Sequence, residues 1–257
     1  MDLRLAGKVG IVTGASRGIG RAIAQSLAAE GMRLVLVARS AEQLADLAKR
    51  LPTPSLVQVA DLRQEDAAEE LVAATIDQFG QLDLLVNNAG ATVRGDFLKL
   101  TDTEWDDGFA LKFFGAMRCC RAAWPYLQQS QGSIVNIVGI GGRTGSAEFA
   151  IGGSVNAAVL NLTKVLADRG ISDGVRVNAI NPGAIATDRL QTRIDKSASD
   201  QGIAKEEAAE KLAREMKIAR FGTPTEIGDA VAFLASFRAA YCQGSIIDID
   251  GGQTRTL

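Results

Sequence analysis

A chain of 257 residues with 28 Lys and Arg, 30 Asp and Glu, no His and 47% hydrophobic content can bury one sizeable core, and it excludes disorder, collagen-like repeats and a disulfide scaffold. A net charge of −2, with basic residues scattered among acids, leaves no footprint for nucleic acid. The lack of His, together with Cys119, Cys120 and Cys242 at spacings that fit no zinc or redox motif, removes a His-based triad and leaves no metal to be expected.

The chain opens with a short charged segment, Met1 to Lys8, and the apolar run that follows is too brief for a signal-peptide core. No window approaches 18 uncharged apolar residues, so the expectation is a cytoplasmic protein without a membrane partner. Short apolar runs then alternate with amphipathic stretches: Val9 to Thr13, Arg33 to Ala38, Leu56 to Ala60, Leu82 to Asn87, Ser133 to Val138, Val175 to Ile180 and Ile246 to Ile249. They are hydrophobic throughout rather than alternating, which predicts strands covered on both faces and therefore parallel. Between them, Ser40 with Gln43, Thr101 with Glu104 and Thr223 with Glu226 have capping-box spacing, and Gly31, Gly80 and Gly170 stand where helix C-termini are expected. Nothing divides the chain. The predicted fold is a single α/β domain, residues 1–257, with a doubly wound (Rossmann) parallel sheet of about seven strands and helices on both faces. The charged, Ala-rich stretch from Asp188 to Arg220 fits a lid over the carboxyl ends of the strands, or a solvated helix pair.

Thr13-Gly14-Ala15-Ser16-Arg17-Gly18-Ile19-Gly20 follows the first strand and opens the helix Arg21 to Glu30. Glycines there let the backbone approach a pyrophosphate, whose charge meets the free amides of the helix. This Gly-x-x-x-Gly-x-Gly spacing, with Asn87-Asn88-Ala89-Gly90 after the fourth strand and Asn181-Pro182-Gly183 after the sixth, resembles the short-chain dehydrogenase/reductase family, and in particular its 3-oxoacyl reductases. The resemblance runs through Asp250-Gly251-Gly252. It implies a dinucleotide held by Gly14, Ser16, Arg17, Gly18, Ile19 and Gly20, with Asp61 and Leu62 flanking the adenine. Asn88, Ala89 and Gly90 would then lie at the adenosine ribose, and Pro182, Gly183, Ile185 and Thr187 at the nicotinamide end. The second strand ends in Ala38-Arg39-Ser40. No acid stands there to take the 2′-hydroxyl of NAD, whereas Arg39, with Arg17, suits a 2′-phosphate, so NADP(H) is expected in preference to NAD(H).

The family does its chemistry with an Asn, a Ser, a Tyr and a Lys four residues after the Tyr. Alignment by neighbouring residues puts Lys112 at the Asn position, Gly139 at the Ser position, Gly152 at the Tyr position and Asn156 at the Lys position. All four depart. Asn and Lys have in effect changed places, and Gly152 with Asn156 leaves a space that the Lys112 amine can enter to hydrogen-bond Asn156 beside the nicotinamide ribose. No acid stands three or four residues from Lys112 on its own helix. Two readings stay open: an oxidoreductase whose proton comes from Lys112, Ser146, Glu148, Ser154 or a water, and a catalytically silent dinucleotide-binding protein serving as sensor, scaffold or partner subunit. The small-molecule substrate is not specified. Arg94 is either a receiver for an acidic substrate group or an exposed loop residue. The resemblance also implies a homodimer or homotetramer paired through the helices Thr101 to Gln129 and Gly152 to Asp168.

Overall fold

A computed structural model describes residues 2–255. Seven strands form one parallel sheet in the order β3-β2-β1-β4-β5-β6-β7. They are β1 Val9–Thr13, β2 Arg33–Ala38, β3 Ser55–Val59, β4 Leu84–Asn87, β5 Ser133–Ile137, β6 Arg176–Pro182 and β7 Ile246–Ile249. The helices are α1 Gly18–Ala29, α2 Ala41–Arg50, α3 Ala67–Phe79, α4 Asp102–Phe109, α5 Ala116–Ser130, α6 Ala150–Asp173, α7 Asp188–Gln201, α8 Lys205–Glu215 and α9 Pro224–Ala235.

The uninterrupted apolar runs follow from two cores. Along β1, Val12 points into a cluster with Ile23 and Leu27 of α1 and Ile227 and Val231 of α9. Its neighbour Ile11 points the other way, toward Leu71 of α3, Cys119 and Leu127 of α5 and Ala167 of α6. Successive side chains of a strand alternate faces, so a sheet covered on both sides needs an apolar residue at every position. Burial raises the Cys119 and Cys120 thiols to about 12, so both behave as small core hydrophobes.

Helix ends depart from expectation at two places. Thr101 and Thr223 form full capping boxes with Glu104 and Glu226, but the Ser40 side chain makes no cap hydrogen bond. Its ψ of 99° differs from the 155° and 150° of the two threonines, and the hydroxyl is not aimed back at the helix amides. Gly170 does not end a helix: α6 runs on to Asp173, and Gly174, at φ +72°, makes the left-handed cap. The helix α6 is the one stretch among the described residues long and apolar enough to cross a membrane, yet here Val155, Val159, Thr163 and Ala167 pack it onto the sheet.

The stretch from Asp188 to Arg220 folds as the helices α7 and α8. They share a small core of Leu190, Ile194, Ala198, Ala208 and Leu212. This pair follows β6 at the carboxyl edge of the sheet, where β1 and β4 part to carry crossovers in opposite directions and leave a crevice.

Candidate dinucleotide site and the aligned catalytic positions

The turn after β1 is tied to the end of β4. Thr13 Oγ1 donates to Val86 O at 3.2 Å and accepts from the amides of Asn88 and Ala89 at 2.9 and 3.0 Å. Asn88 Nδ2 donates to Thr13 O at 3.0 Å and Gly14 O at 3.2 Å. Thr13, at the edge of the glycine motif, is therefore the clamp that fixes the crevice. Gly14 and Gly18 adopt positive φ (66° and 55°), and Arg17 at the N-cap of α1 supplies no side-chain cap. The first amides of α1, at Gly18, Ile19 and Gly20, have no intrahelical acceptor, the arrangement that fits a pyrophosphate. A Cβ on Gly20 would fall inside the contact radii of Gly14 O and Asn88 Nδ2. Gly20→Ala is thus expected to destabilise by about 1–3 kcal/mol and to weaken dinucleotide binding together. Thermal unfolding and a fluorescence titration check this; an unchanged Tm would mean that the turn relaxes freely.

Other residues assigned to the dinucleotide line the same edge. Arg39 follows β2 and, like Arg17, is exposed and holds no carboxylate among the described residues. Beyond β3, Asp61 is engaged by Arg63 at 2.9 Å, while Arg63 also reaches Asp107 at 2.8 Å, and Leu62 is buried. Pro182 ends β6, Gly183 donates its amide to Ile249 O at 3.0 Å, Ile185 is buried, and Thr187 lies 3.5 Å from the space a Gly18 side chain would take. Thr187 thereby packs against the glycine turn.

Lys112 lies in a π-helical turn, Ala110–Gly115, between α4 and α5. Such wide turns interrupt the regular backbone ladder and recur at functional sites. The lysine stem crosses Gly90, where a Cβ would meet Lys112 Cδ at 3.0 Å. Its amine donates to Asn156 Oδ1 at 2.6 Å and to Val138 O at 2.6 Å, and Asn156 Nδ2 donates to Gly139 O at 3.4 Å. Asn156 is 3% exposed. Burial, with the Arg189 charge nearby, pushes the Lys112 ammonium down to about 8.

The volume beside Gly152 differs from expectation. It is not left open for the lysine: a Cβ on Gly152 would collide with the ring of Phe149, which occupies that room. Residues three apart on a helical path are neighbours, so the ring one turn ahead of the glycine folds onto it. Lys112 reaches Asn156 from the other side, past Gly90. Arg94 stacks its guanidinium 4.3 Å from the Phe149 ring centroid. The loop at Gly139 is held from below, where Asn181 Oδ1 accepts from the Gly139 amide at 3.2 Å and Asn181 Nδ2 donates to Asp248. Asp248 pairs in turn with Arg143 at 3.1 Å. Ser146 and Glu148 are exposed and Ser154 lies on α6, outside the Lys112–Asn156–Val138 contacts.

The doubly wound sheet, the glycine turn and the asparagine clamp define a dinucleotide-binding α/β protein. A family model described as Enoyl-(Acyl carrier protein) reductase matches residues 14–254. The 3-oxoacyl-(acyl-carrier-protein) reductase FabG of Staphylococcus aureus is 35% identical over 253 residues, covering 95% of this chain and 97% of that protein. The 3-oxoacyl-(acyl-carrier-protein) reductase of Synechocystis is 34% identical over 254 residues, covering 96% and 97%. Among solved structures, L-sorbose reductase from Gluconobacter frateurii, complexed with NADPH and L-sorbose, superposes with a TM-score of 0.96 at 32% identity over 100% of both chains. Levodione reductase gives 0.90 at 31% identity, covering 97% of this chain and 98% of that one. The chain belongs to the short-chain dehydrogenase/reductase family, a family of oxidoreductases.

Proposed function

We propose that this chain is an NADP(H)-dependent oxidoreductase acting between carbonyl and alcohol, with Lys112 in place of the family's tyrosine as the proton donor. The observation that carries the reading is the Lys112 amine, 2.6 Å from both Asn156 Oδ1 and Val138 O, at the centre the aligned family positions define. A nicotinamide bound in the crevice supplies the hydride for such a reduction. The residues here do the rest. The free amides of Gly18, Ile19 and Gly20 and the neighbouring Ser16 receive the pyrophosphate, and Arg39 and Arg17 the 2′-phosphate. Asp61, Leu62, Asn88, Ala89 and Gly90 line the adenosine end, and Pro182, Gly183, Ile185 and Thr187 the nicotinamide end. Lys112 commits two of its three N–H bonds to fixed acceptors, which leaves one to donate to a substrate oxygen as negative charge develops there. The ammonium gives up that proton, becomes an amine, and recovers a proton from solvent. Asn156 and Val138 O are positioning groups, and Gly139 and Gly152 contribute only backbone and space.

The silent reading, in which the chain binds the dinucleotide and turns nothing over, draws support from Phe149 standing where the tyrosine belongs. NADPH oxidation across a panel of ketones and aldehydes, run beside a binding titration, separates the two: saturable turnover abolished in Lys112→Met supports the enzyme, and tight binding with no turnover supports the silent protein. The 2′-phosphate assignment predicts that NADPH binds more tightly than NADH and that Arg39→Asp erases or reverses the order, because a carboxylate would then face a phosphate. Equal affinities in the parent would sink that assignment. An assembly through α5 and α6 completes the reading. Phe114 of the π-helical turn, Val165 and Ile171 are apolar and exposed on that side, at 43%, 57% and 73%. Light scattering at micromolar concentration should give a dimer or tetramer mass; a monomer mass counts against it.

A further inference from the structure

Lys112 is anchored without a counter-ion. Lys8, Lys99, Lys196 and Lys205 each pair with a carboxylate, that of Asp83, Asp96, Asp200 and Asp195 in turn. Lys112 reaches none among the described residues, and its partners are two uncharged oxygens, Asn156 Oδ1 and Val138 O, each at 2.6 Å. The two oxygens come from α6 and from the residue after β5, and the stem lies along Gly90, so the nitrogen is fixed from three sides. An ammonium carries three N–H bonds and has no third acceptor here among the described residues, whereas a neutral amine carries two and both are used. The remaining tetrahedral direction then holds a lone pair. Lys112 is only partly buried, which leaves it open to a small molecule. Glycines at 90 and 139 keep side chains off both flanks, since a Cβ there would press on Lys112 Cδ at 3.0 Å and on Asn156 Nδ2 at 3.2 Å. Burial, with a second cation at Arg189, lowers the ammonium to about 8, so at neutral pH roughly a tenth of the molecules carry the free amine. Desolvated lysines of this kind attack carbonyl carbon.

We propose that Lys112 is a nucleophile that forms an imine with small aldehydes and ketones entering the crevice, with Asn156 and Val138 O orienting its amine. The activity needs no dinucleotide and so goes beyond the reductase reading. The lone pair adds to the carbonyl carbon, a C–N bond forms, and the π pair of the C=O bond moves to oxygen, which takes a proton from the nitrogen. That hydroxyl leaves as water with a proton from solvent, and the nitrogen remains as a protonated imine, with no change of oxidation state. Its single N–H stays within reach of the same two oxygens. One direction at the nitrogen therefore serves two chemistries: the ammonium offers an N–H there, and the amine offers its lone pair.

Sodium cyanoborohydride, which reduces an imine and spares a carbonyl, tests this on the whole protein at neutral pH without dinucleotide, with propanal and acetone as probes and peptide mass mapping as the readout. The expected result is alkylation of Lys112 about tenfold or more faster than that of Lys8, Lys99, Lys196 and Lys205, which hold their protons more tightly. Lys112→Met should lose this adduct and keep the slow labelling of the other four. Asn156→Asp keeps the shape of the site and supplies the missing carboxylate, which returns the proton to the nitrogen; it should slow labelling of Lys112 by about tenfold or more against the same surface lysines, with the Tm near the parent's. Labelling of Lys112 no faster than that of the surface lysines, or a rate unchanged in Asn156→Asp, would overturn the proposal. The hydride here is added and NADPH is absent. If no carbonyl compound is ever reduced by NADPH, the reductase reading fails and this result is untouched, while failure of the trap leaves that reading standing.

Discussion

Lys112→Met is expected to lower the turnover of any carbonyl compound the protein reduces by about 10²–10⁴-fold, the usual contribution of a positioned general acid. Methionine keeps the stem that crosses Gly90 and removes only the ammonium. The variant leaves Asn156 Oδ1 and Val138 O without their donor, which costs stability, and it relieves the burial of a charge, which restores some; its Tm should stay near that of the parent. The pH dependence gives a second readout. Reduction requires the ammonium, so turnover should fall as pH rises through about 8, where Lys112 loses its proton in the folded protein. For stability the sign is opposite. An unfolded lysine holds its proton to the ordinary value of 10.5, so between about 8 and 10.5 the unfolded chain binds more protons than the folded one and unfolding becomes harder with rising pH. The ceiling on this gain is about 3 kcal/mol, and it is absent from Lys112→Met. Urea unfolding of both proteins at neutral pH and near pH 10 measures it. A constant difference between the two would show that the amine titrates as an ordinary surface lysine.

Much of the fold was legible because it rests on periodicity that nothing else imitates. β1, β2 and β7 begin and end where their apolar runs do, and the buried apolar residues of β1 and β2 face one of two cores. Elsewhere the boundaries slip by one or two residues where apolar side chains continue past the last ladder bond, as at Leu82 before β4 and Val138 after β5. Local signals failed where tertiary contact used the residue for something else. Gly170 marks the point at which Val175 O approaches α6 too closely for a side chain, and the cap passes to Gly174. The dinucleotide turn could be read because its glycines and asparagines act through the backbone within a few residues of one another. Lys112 and Asn156 stand 44 residues apart, and only a family alignment brings them together. Phe149 was missed although a signal existed: a large aromatic three residues before a glycine that has replaced a tyrosine can fold into the vacancy.

Putting the tyrosine back at Gly152 is expected to fail, because the Phe149 ring occupies the space that a side chain there would need. Gly152→Tyr must expel the Phe149 ring from the space it occupies, which also takes away the surface on which Arg94 is stacked. Overpacking of this kind costs about 1–3 kcal/mol, a Tm lower by several degrees in a chain of this size, with turnover at or below the parent's. Gly139→Ser meets a second obstacle. At φ +122° and ψ 145° the backbone lies in a region that side-chain-bearing residues avoid, so the serine carries about 1–3 kcal/mol of strain or drags the loop away from Asn181. The tyrosine–lysine pair should become functional only when its surroundings are changed with it, in Phe149→Ala/Gly152→Tyr/Asn156→Lys/Lys112→Asn. There the loss of the Phe149 ring frees its volume, the lysine returns to α6 beside the tyrosine, and the asparagine returns to the π-helical turn. Turnover of a ketone should then rise above that of the parent. Assays of the single and quadruple variants on charged and uncharged carbonyl compounds, beside their melting curves, decide the matter. A Gly152→Tyr protein that melts with the parent and reduces ketones faster would show that Phe149 yields without cost and that the centre lacks only its tyrosine.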